Sequence, residues 1–527
     1  MIAKPLIYNC ILLATTIALF SSCATEKKKR IIKFPKTDLS AAHVIPKPLK
    51  LRPAYGGFPL DKHTVIQTDP NDTAYIDIAR FLVDKIQKKT GLNLPINTNE
   101  PSDTISIIHI KQTDISHSKA TEAYTLDINQ DTITLTSNTA AGAFRGIQTL
   151  RQLIPEASND TLATNKIWVV PSGKILDAPQ FKYRATMLDV ARHFFTVEDV
   201  KNYIDILSYY KINTLHLHLS DDQGWRIEIK SWPKLSAIGG LTEVGGTTGG
   251  FYTQKEYKDI IDYAAKHHIM VVPEIDMPGH TNAASVAYPI LNGNGKTPKP
   301  YTRTRVGFST LDTKKDTVYK FIDDVVREIA SISPGPYFHV GGDESHVTKK
   351  ADYNDFIGKV EKIVQKHGKQ LIGWDEVATA KVDSSSIAQI WRSKKNQQLA
   401  IKKGMKIILS LSDKAYLDMK YDADSKFGLD WAGYISVKQA YDWDIEAQAQ
   451  GKAIGIDAPL WSETISTLDE LQYLAFPRVI GHAELGWSTK ENRDWENYKI
   501  RLAHQAPFLN RMHVNYYPSP LIDWKIN

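Results

Sequence analysis

Two acidic residues stand side by side in the stretch YFHVGGDESH, residues 337–346. Asp343 and Glu344 follow an apolar run and two glycines, and neighbouring residues of a strand point to opposite faces. Like charges at this spacing repel each other. The pair is therefore either a helix N-cap with its neighbour or a pair of acids that one ligand needs together.

Similar residues follow other apolar runs of the chain. Helix capping explains one such acid taken alone, but it does not explain so many of them if they converge on one place. The full set is Asp189, Arg192, His193, His216, His218, Asp221, Asp222, Glu274, Asp276, His280, His339, Asp343, Glu344, Trp374, Asp375, Glu376, Trp391, Tyr416, Asp418, Trp461, Ser462 and Glu463.

The elements that carry these residues alternate regularly. Apolar strand-like runs are followed by amphipathic helices, a pattern typical of a parallel sheet, and eight such runs predict an α/β fold with a closed (β/α)8 TIM barrel over residues 176–527. The runs are YRATMLDV, INTLHLHLS, IMVVPEID, YFHVGG, KQLIGWDE, SSIAQIW, MKIILSL and AIGIDAPLWSE. Active sites of such barrels lie at the carboxyl ends of the strands, where the polar set above is found.

A smaller domain precedes the barrel. The runs TVIQT, ISIIHI, AYTLDI and TITLTS alternate by twos and predict strands, with a helix that stops at Gly91 and a second helix over AAGAFRGIQTLRQLI. These elements predict a small α/β or α+β domain over residues 41–175, and VPSGKILDAP is interpreted as the connection out of it.

The N-terminus resembles a targeting signal. The stretch LIYNCILLATTIALF after Lys4 is too short and too early for a membrane span. The SSC that follows resembles a bacterial lipobox, with Phe20 where leucine is more usual. We expect a signal peptide at 1–22, lipidation of Cys23 and a lipidated tether at 23–40. The protein would then be attached to the membrane in the bacterial cell envelope, as an outer-membrane lipoprotein. Ordinary cleavage and an uncleaved anchor are the alternatives.

Composition excludes several classes of function. The chain has 527 residues and a formal charge of +6, and much of that charge comes from the run KKKR at 27–30. A nucleic-acid partner requires a basic stripe across a folded face, so we expect none. Cys10 and Cys23 are the only cysteines, so the folded body has no disulfide and no thiolate nucleophile.

Two histidines allow a metal-dependent chemistry. His216 and His218 are two apart and share one face of a strand, as metal-binding pairs do in metal-dependent amidohydrolase barrels. Such sites need more histidines and a bridging lysine, whereas later runs here end mostly in acids and aromatics, with His280 and His339 as additional candidates. We expect no metal and interpret the pair as interior histidines, with the amidohydrolase kept as an alternative.

The aromatic residues among the acids favour a sugar ligand. Tryptophan offers a flat face to the C–H side of a pyranose, and carboxylates bind its hydroxyls. Glycosidases commonly place two carboxyls about 5–9.5 Å apart across the scissile bond. Adjacent acids suit a variant in which a 2-acetamido oxygen of the substrate attacks C1, while one acid steers that group and the other protonates the leaving oxygen.

At this point the sequence resembles the β-N-acetylhexosaminidases of glycoside hydrolase family 20. The matching stretches are YRATMLDVARHF, LHLHLSDDQGWRIEI, PEIDMPGH, FHVGGDE, GWDE, YLD, DWAG and PLWSE, in the order of the family. They cover about residues 181–465, and the leading segment is similar to the family's N-terminal domain. The resemblance implies an exo-acting, retaining enzyme that releases terminal β-linked GlcNAc or GalNAc from glycans without a metal or a cofactor.

The resemblance also implies roles for the matched residues. Glu344 would be the general acid/base, and Asp343 would orient the acetamido group and stabilise an oxazolinium intermediate. Substrate contacts would come from Tyr416 to the acetamido oxygen, from Trp374, Trp391 and Trp461 around the N-acetyl methyl and the sugar face, from Arg184, Asp418 and Glu463 to hydroxyls, and from Trp431 as a further wall.

Two more residues would lie behind Glu344 and tune its acidity. The resemblance implies this role for Asp221 and His280, although the adjacent Asp222 fits as well as Asp221. The Asp343 carboxylate should hold Glu344 protonated near neutral pH. A barrel that only binds glycans on the cell surface is a further alternative, and the intact acid pair argues against it.

Overall fold

The computed structural model describes Met1 and residues 37–97, 106–115, 118–156 and 167–525. Apart from Met1 and residues 37–40, the expected signal peptide and tether, including Cys23, lie outside the described residues. Within the described residues, no helix combines the length and the apolar character that crossing a membrane would require.

The first domain is a mixed sheet with two helices. Its sheet has the order β1-β7-β5-β6-β4-β2-β3. The elements are β1 Lys50–Leu60, β2 Val65–Gln67, α1 Thr73–Thr90, β3 Ile96–Asn97, β4 Ile107–Gln112, β5 Tyr124–Ile128, β6 Thr132–Ser137, α2 Ala140–Leu153 and β7 Trp168–Asp177. As predicted, α1 stops at Gly91, whose φ of 79° suits glycine.

The sequence analysis did not predict two strands of this sheet. VPSGKILDAP, interpreted as a connection, belongs mostly to β7, and LRPAYGGFPL belongs to β1. The two strands pair antiparallel with a register shift between Pro53 and Gly57. Glycines and prolines inside both runs hid the alternation on which the prediction depended.

The second domain is the predicted closed barrel of eight parallel strands. Its order is β10-β11-β12-β13-β14-β15-β8-β9. The strands are β8 Tyr183–Asp189, β9 Thr214–His218, β10 Met270–Glu274, β11 Tyr337–His339, β12 Gln370–Trp374, β13 Ile387–Ile390, β14 Lys406–Leu409 and β15 Ala453–Leu460. All eight predicted runs form these strands, so the carboxyl ends of the strands do meet at one mouth.

Helices and short helical turns follow the barrel strands. They are α3 Val197–Tyr209, α4 Lys234–Ala237, α5 Gln254–Lys266, α6 Asn282–Ala287, α7 Asp316–Ile332, α8 Lys350–Lys366, α9 Lys394–Lys402, α10 Val437–Tyr441, α11 Ile445–Ala449, α12 Leu468–Ala475, α13 Arg478–Trp487, α14 Trp495–Ala503 and α15 Ala506–Arg511. The last four, α12 to α15, come after the last strand, β15. A capping box of Thr196 and Asp199 begins α3. The segment LDELQYLAFPRVIGHAELGW forms two helices because Pro477 cannot continue the first.

The first domain contacts the amino end of the barrel through buried ion pairs. The Glu122 carboxylate accepts hydrogen bonds from Arg184 at the start of β8 (Nη2 2.7 Å, Nη1 2.9 Å) and from Arg145 Nε of α2 at 2.7 Å. Lys211, at the same end of the barrel, donates to Asp177 at 2.9 Å. These contacts lie at the end of the barrel opposite the mouth.

Candidate active site

The backbone after β11 turns the two adjacent acids toward the barrel mouth. Gly341, Gly342 and Glu344 all have left-handed φ angles, 63°, 97° and 44°. A Cβ on Gly341 would lie 1.9 Å from Asp276 Oδ1, so no other residue fits there. Gly342 N–H donates to the same Asp276 oxygen at 2.9 Å. Because of this turn, neighbouring side chains no longer point to opposite faces as they do in a strand. Asp343 and Glu344 can therefore face one ligand.

One imidazole confirms that the two acids converge. His280 Nε2 lies 3.7 Å from Asp343 Oδ2 and 3.8 Å from Glu344 Oε2. Burial raises the pKa of Glu344 and Asp343 raises it further, while His280 and Arg392 oppose them. The result is a carboxyl held in its protonated form to higher pH than an ordinary glutamate, as a proton donor requires.

Asp276 forms a protonated support beneath Asp343. Burial, and then the Asp343 carboxylate, raise the pKa of Asp276 well above its usual range. A neutral Asp276 avoids two like charges side by side in a buried site. Asp276 therefore holds the turn through Gly342 and places a neutral acid next to Asp343.

His280 is tied to a second acid, and the geometry selects Asp221 over Asp222. His280 Nδ1 lies 3.2 Å from Asp221 Oδ1, and Arg192 Nη2 lies 2.9 Å from Asp221 Oδ2. Burial opposes the charge of His280, but Asp221 and then Asp343 outweigh it and raise the pKa of His280 well above its usual range. Asp222 instead accepts hydrogen bonds from Ser309 Oγ and from a backbone N–H.

Four of the expected aromatic residues form a buried wall. Trp374, Trp391, Tyr416 and Trp461 belong to one apolar cluster. The Trp391 and Tyr416 rings lie nearly parallel with centroids 6.4 Å apart. Trp431 packs edge-on against Trp391 at 6.2 Å and is 52% exposed, so it forms the rim of the cleft. Trp391, Tyr416, Trp431 and Trp461 line a cleft of about 260 Å³, below the range of about 300–1,000 Å³ typical of drug-sized ligands. Trp374, predicted to contact the sugar, is not part of this lining and packs behind the wall.

The base of the cleft offers unused acceptors. Both carboxylate oxygens of Asp418 and Oε2 of Glu463 are buried and make no hydrogen bond to any described residue. Arg192 Nη1 lies 3.8 Å from Glu463 Oε1, and its guanidinium lies 4.8 Å from the Trp461 ring centroid. Buried polar atoms without partners are costly, and the hydroxyls of a sugar would satisfy these.

The expectation for Arg184 needs correction. Its side chain is fully buried at the amino end of β8, where its donors go to Glu122 and to backbone carbonyls. It cannot reach a ligand at the opposite end of the barrel. Arg192, eight residues later and just past the end of β8, is the arginine that lines the cleft.

The two interior histidines contact carboxylates through all four ring nitrogens. His216 lies 2.9 Å from Asp457 and 3.0 Å from Glu274, and His218 lies 2.7 Å from Glu274 and 3.0 Å from Asp221. Glu274 also accepts the indole N–H of Trp374 at 2.9 Å. This hydrogen-bonded layer holds the floor of the aromatic wall in place.

Three groups of described residues bring together enough nitrogen and oxygen atoms to hold a cation. In each group the atoms lie within 4.8 Å of one another. The groups are His216, Glu274 and His339; Asp221, Asp276 and His280; and His280, Asp343 and Glu344. The ion pairs and hydrogen bonds described above already use many of these atoms.

The structure also adds residues to which the sequence analysis gave no role. Glu376 accepts the indole N–H of Trp391 at 3.2 Å, and burial, Asp375 and Asp343 raise its pKa to about 8. Arg392 follows Trp391 and lines the cleft beside Glu344. Glu376 and Asp276 followed predicted strand ends, which was the available signal, whereas nothing in the sequence singled out Arg392.

Comparisons with known proteins agree with this site. The model of "Glycosyl hydrolase family 20, catalytic domain" matches residues 181–490, and that of domain 2 of the same family matches residues 41–178. A β-N-acetylhexosaminidase of Cellulomonas fimi is 34% identical over 489 residues, which is 91% of this chain and 97% of that protein.

Solved structures give the same result. The GH20 β-N-acetylhexosaminidase from Streptomyces coelicolor A3(2) superposes with a TM-score of 0.87 at 43% identity, over 93% of this chain and 100% of the other. A mutant Streptomyces plicatus β-hexosaminidase in complex with its product GlcNAc matches with the same TM-score and identity, over 93% and 99% of the chains. The two family models together match both domains, and the chain belongs to glycoside hydrolase family 20.

Proposed function

We propose that the protein releases terminal, non-reducing β-linked N-acetylhexosamine from glycans, with Glu344 as general acid/base and Asp343 as the residue that steers the substrate's own nucleophile. The observation that carries these roles is the convergence of both acids on His280 Nε2 at the mouth of the barrel. Two adjacent acids held at one imidazole fit a pair in which one acid steers a substrate group and the other donates a proton.

In the first step the acetamido oxygen attacks C1. An electron pair of the acetamido oxygen forms the bond to C1 while the bond between C1 and the leaving oxygen breaks. The Glu344 proton passes to that leaving oxygen. Asp343 accepts a hydrogen bond from the acetamido N–H, and this bond orients the acetamido oxygen. The negative charge of Asp343 stabilises the oxazolinium cation. Tyr416 O–H donates to the acetamido oxygen, and the tryptophan wall surrounds the methyl group.

In the second step water opens the oxazolinium ring. Glu344, now a carboxylate, takes a proton from the water as its oxygen bonds to C1, and the acetamido group is restored. Two displacements at C1 retain the β configuration. The acid returns to its starting state, so the cycle needs no other proton carrier.

An exo mode of action follows from the shape of the cleft. Asp418, Glu463 and Arg192 lie at its base, and the buried aromatic wall closes one side. A single ring fills such a space, with its hydroxyls on the unused acceptors. The chain would thus extend outward past Glu344, from the C1 side only.

The roles can be tested with a phenyl β-GlcNAc glycoside, whose leaving group needs protonation. Glu344→Gln should lower kcat/KM by about 10²–10⁴-fold, and Asp343→Asn by about 10²–10³-fold. Asp355→Asn, at a 64% exposed position of α8, is the matched control and should react like the parent. Comparable rates for Glu344→Gln and the parent would remove the assignment of the acid. Efficient hydrolysis of a plain β-glucoside by the parent would contradict the substrate-assisted route.

For the location of the enzyme we keep the sequence-based proposal. The small residues before Cys23 support a lipid anchor at that cysteine and a place in the cell envelope.

A further inference from the structure

We propose that the outer part of the cleft recognises an anionic group, a carboxylate or a sulfate, on the sugar to which the terminal N-acetylhexosamine is linked, and that Arg392 is the residue that binds it. This inference rests on the proposed function, because it concerns the aglycone of the same reaction.

The position of Arg392 relative to the acid identifies the aglycone side. Glu344 protonates the leaving oxygen, so the leaving sugar lies on the side of Glu344 that faces solvent. Arg392 Nη2 lies 3.9 Å from Glu344 Oε1, and its side chain is 48% exposed. It is therefore a cation within reach of the first sugar beyond the scissile bond.

The arginine is held in place but its donors are available. Its guanidinium stacks on the Trp391 ring, 3.9 Å from the centroid, and its backbone N–H donates to Asp375 at 3.2 Å. The 3.9 Å approach to Glu344 is its one ion pair among the described residues. A planar guanidinium fixed by stacking is well suited to binding a carboxylate or sulfate with two hydrogen bonds.

The neighbouring loop adds positive charge to the same rim. Thr304 and Val306 line the cleft, and Arg303 and Arg305 beside them are exposed and form no ion pair with any described residue. Asp418 and Glu463 are acids at the buried base of the cleft, where they face the first sugar.

A cation at this position has a cost for the reaction of a neutral substrate. Arg392 opposes the raised pKa of Glu344, and so favours loss of the proton that the leaving oxygen needs. An anion on the aglycone would bind the guanidinium and offset this effect. Arg392 thus discriminates between aglycones and has no part in binding the terminal sugar.

The experiment compares three disaccharides that share the terminal GlcNAc and the linkage. Their second sugars are glucose, glucuronic acid and glucose 6-sulfate, so the two acidic arms separate a carboxylate from a sulfate. The readout is the ratio of kcat/KM for each acidic substrate to that for the neutral one. In the parent we expect at least one ratio of about 2–5, as one exposed charge-assisted contact predicts, and a lower ratio at high salt.

Variants then assign the effect. Arg392→Met keeps most of the apolar stem and should bring the ratio to about 1, whereas Arg392→Lys should keep part of it. Lys266→Met removes an exposed cation at the far end of α5, away from the mouth, and should leave the parent ratio unchanged.

Parent ratios of 1 or below, or the same ratios in Arg392→Met as in the parent, would overturn the inference. If Arg392 only supports Trp391, kcat/KM will fall equally for all three substrates. Cleavage of a phenyl β-GlcNAc glycoside without cleavage of either acidic disaccharide would contradict this inference but not the proposed function. Loss of the phenyl glycoside activity as well would instead be a failure of the proposed function.

Discussion

Glu122→Gln should destabilise the protein without changing its catalysis. The carboxylate lies between Arg184 and Arg145 at distances of 2.7–2.9 Å, and its side chain is 9% exposed. Burial alone would raise the pKa of Glu122, but Arg184 and then Arg145 outweigh burial and lower it from 4.5 to about 2. At about 1.4 kcal/mol per pKa unit, the charged form contributes about 3–4 kcal/mol, similar to the cost of breaking other buried ion pairs.

The assay is thermal unfolding across pH, read together with kinetics. An unfolding entropy of about 2.1 cal/mol/K per residue over 527 residues gives about 1.1 kcal/mol per kelvin, so the Tm should fall by about 3 °C near pH 7. Because the folded pKa is the lower one, the carboxylate contributes fully above about pH 5, and its contribution is lost as pH falls toward 2. The Tm gap between parent and variant should therefore narrow as the pH is lowered.

The control is an exposed ion pair of the same domain. Lys174 and Asp127 are 2.6 Å apart but 70% and 47% exposed, so Asp127→Asn should cost less than about 1 kcal/mol. The KM of Glu122→Gln for a β-GlcNAc glycoside should equal that of the parent, because Arg184 is far from the mouth. A raised KM with an unchanged Tm would refute both the placement of Arg184 and the energy assigned to its partner.

Three further predictions concern the mouth and the N-terminus. Gly341→Ala should lower kcat/KM by about 10²-fold or more, because the new Cβ would displace Asp276. The control is Gly368→Ala, at a position with φ 72° and open space around it. This control should lower the Tm only slightly and leave the kinetics unchanged. Asp276→Asn should keep kcat/KM within about tenfold at neutral pH, because the acid it replaces is already protonated; a loss as large as that of Asp343→Asn in the same assay would mean that Asp276 acts as a charged group. Metabolic labelling with palmitate should be abolished by Cys23→Ser, and equal labelling of parent and variant would rule out lipidation there.

Much of the fold was readable from sequence because buried parallel strands are continuous apolar runs. All eight barrel strands were found in this way, and the rule that active sites lie at strand carboxyl ends located Asp343 and Glu344. The same rule would have selected Arg192 over Arg184, because Arg184 begins its strand while Arg192 follows the end. The two arginines are eight residues apart in one matching stretch, YRATMLDVARHF, and the resemblance alone did not separate them.

Other features depended on contacts that no local pattern encodes. The choice of Asp221 over Asp222 requires the position of His280, 59 residues away in the chain. The raised pKa of Glu376 arises from burial and two other acids. Arg392 had no signal in the sequence, because an arginine after a tryptophan gains its meaning only from its distance to Glu344.

The left-handed backbone at Glu344 has a consequence for the evolution of such barrels. A non-glycine residue in this conformation costs of order 1 kcal/mol or more, and glycine or asparagine would relieve that cost. Replacement of the acid by either residue would thus make the protein easier to fold while it abolishes turnover. Selection for stability and selection for catalysis oppose each other at this one position. A descendant of this protein that no longer needs the reaction would therefore be expected to lose this residue among the first.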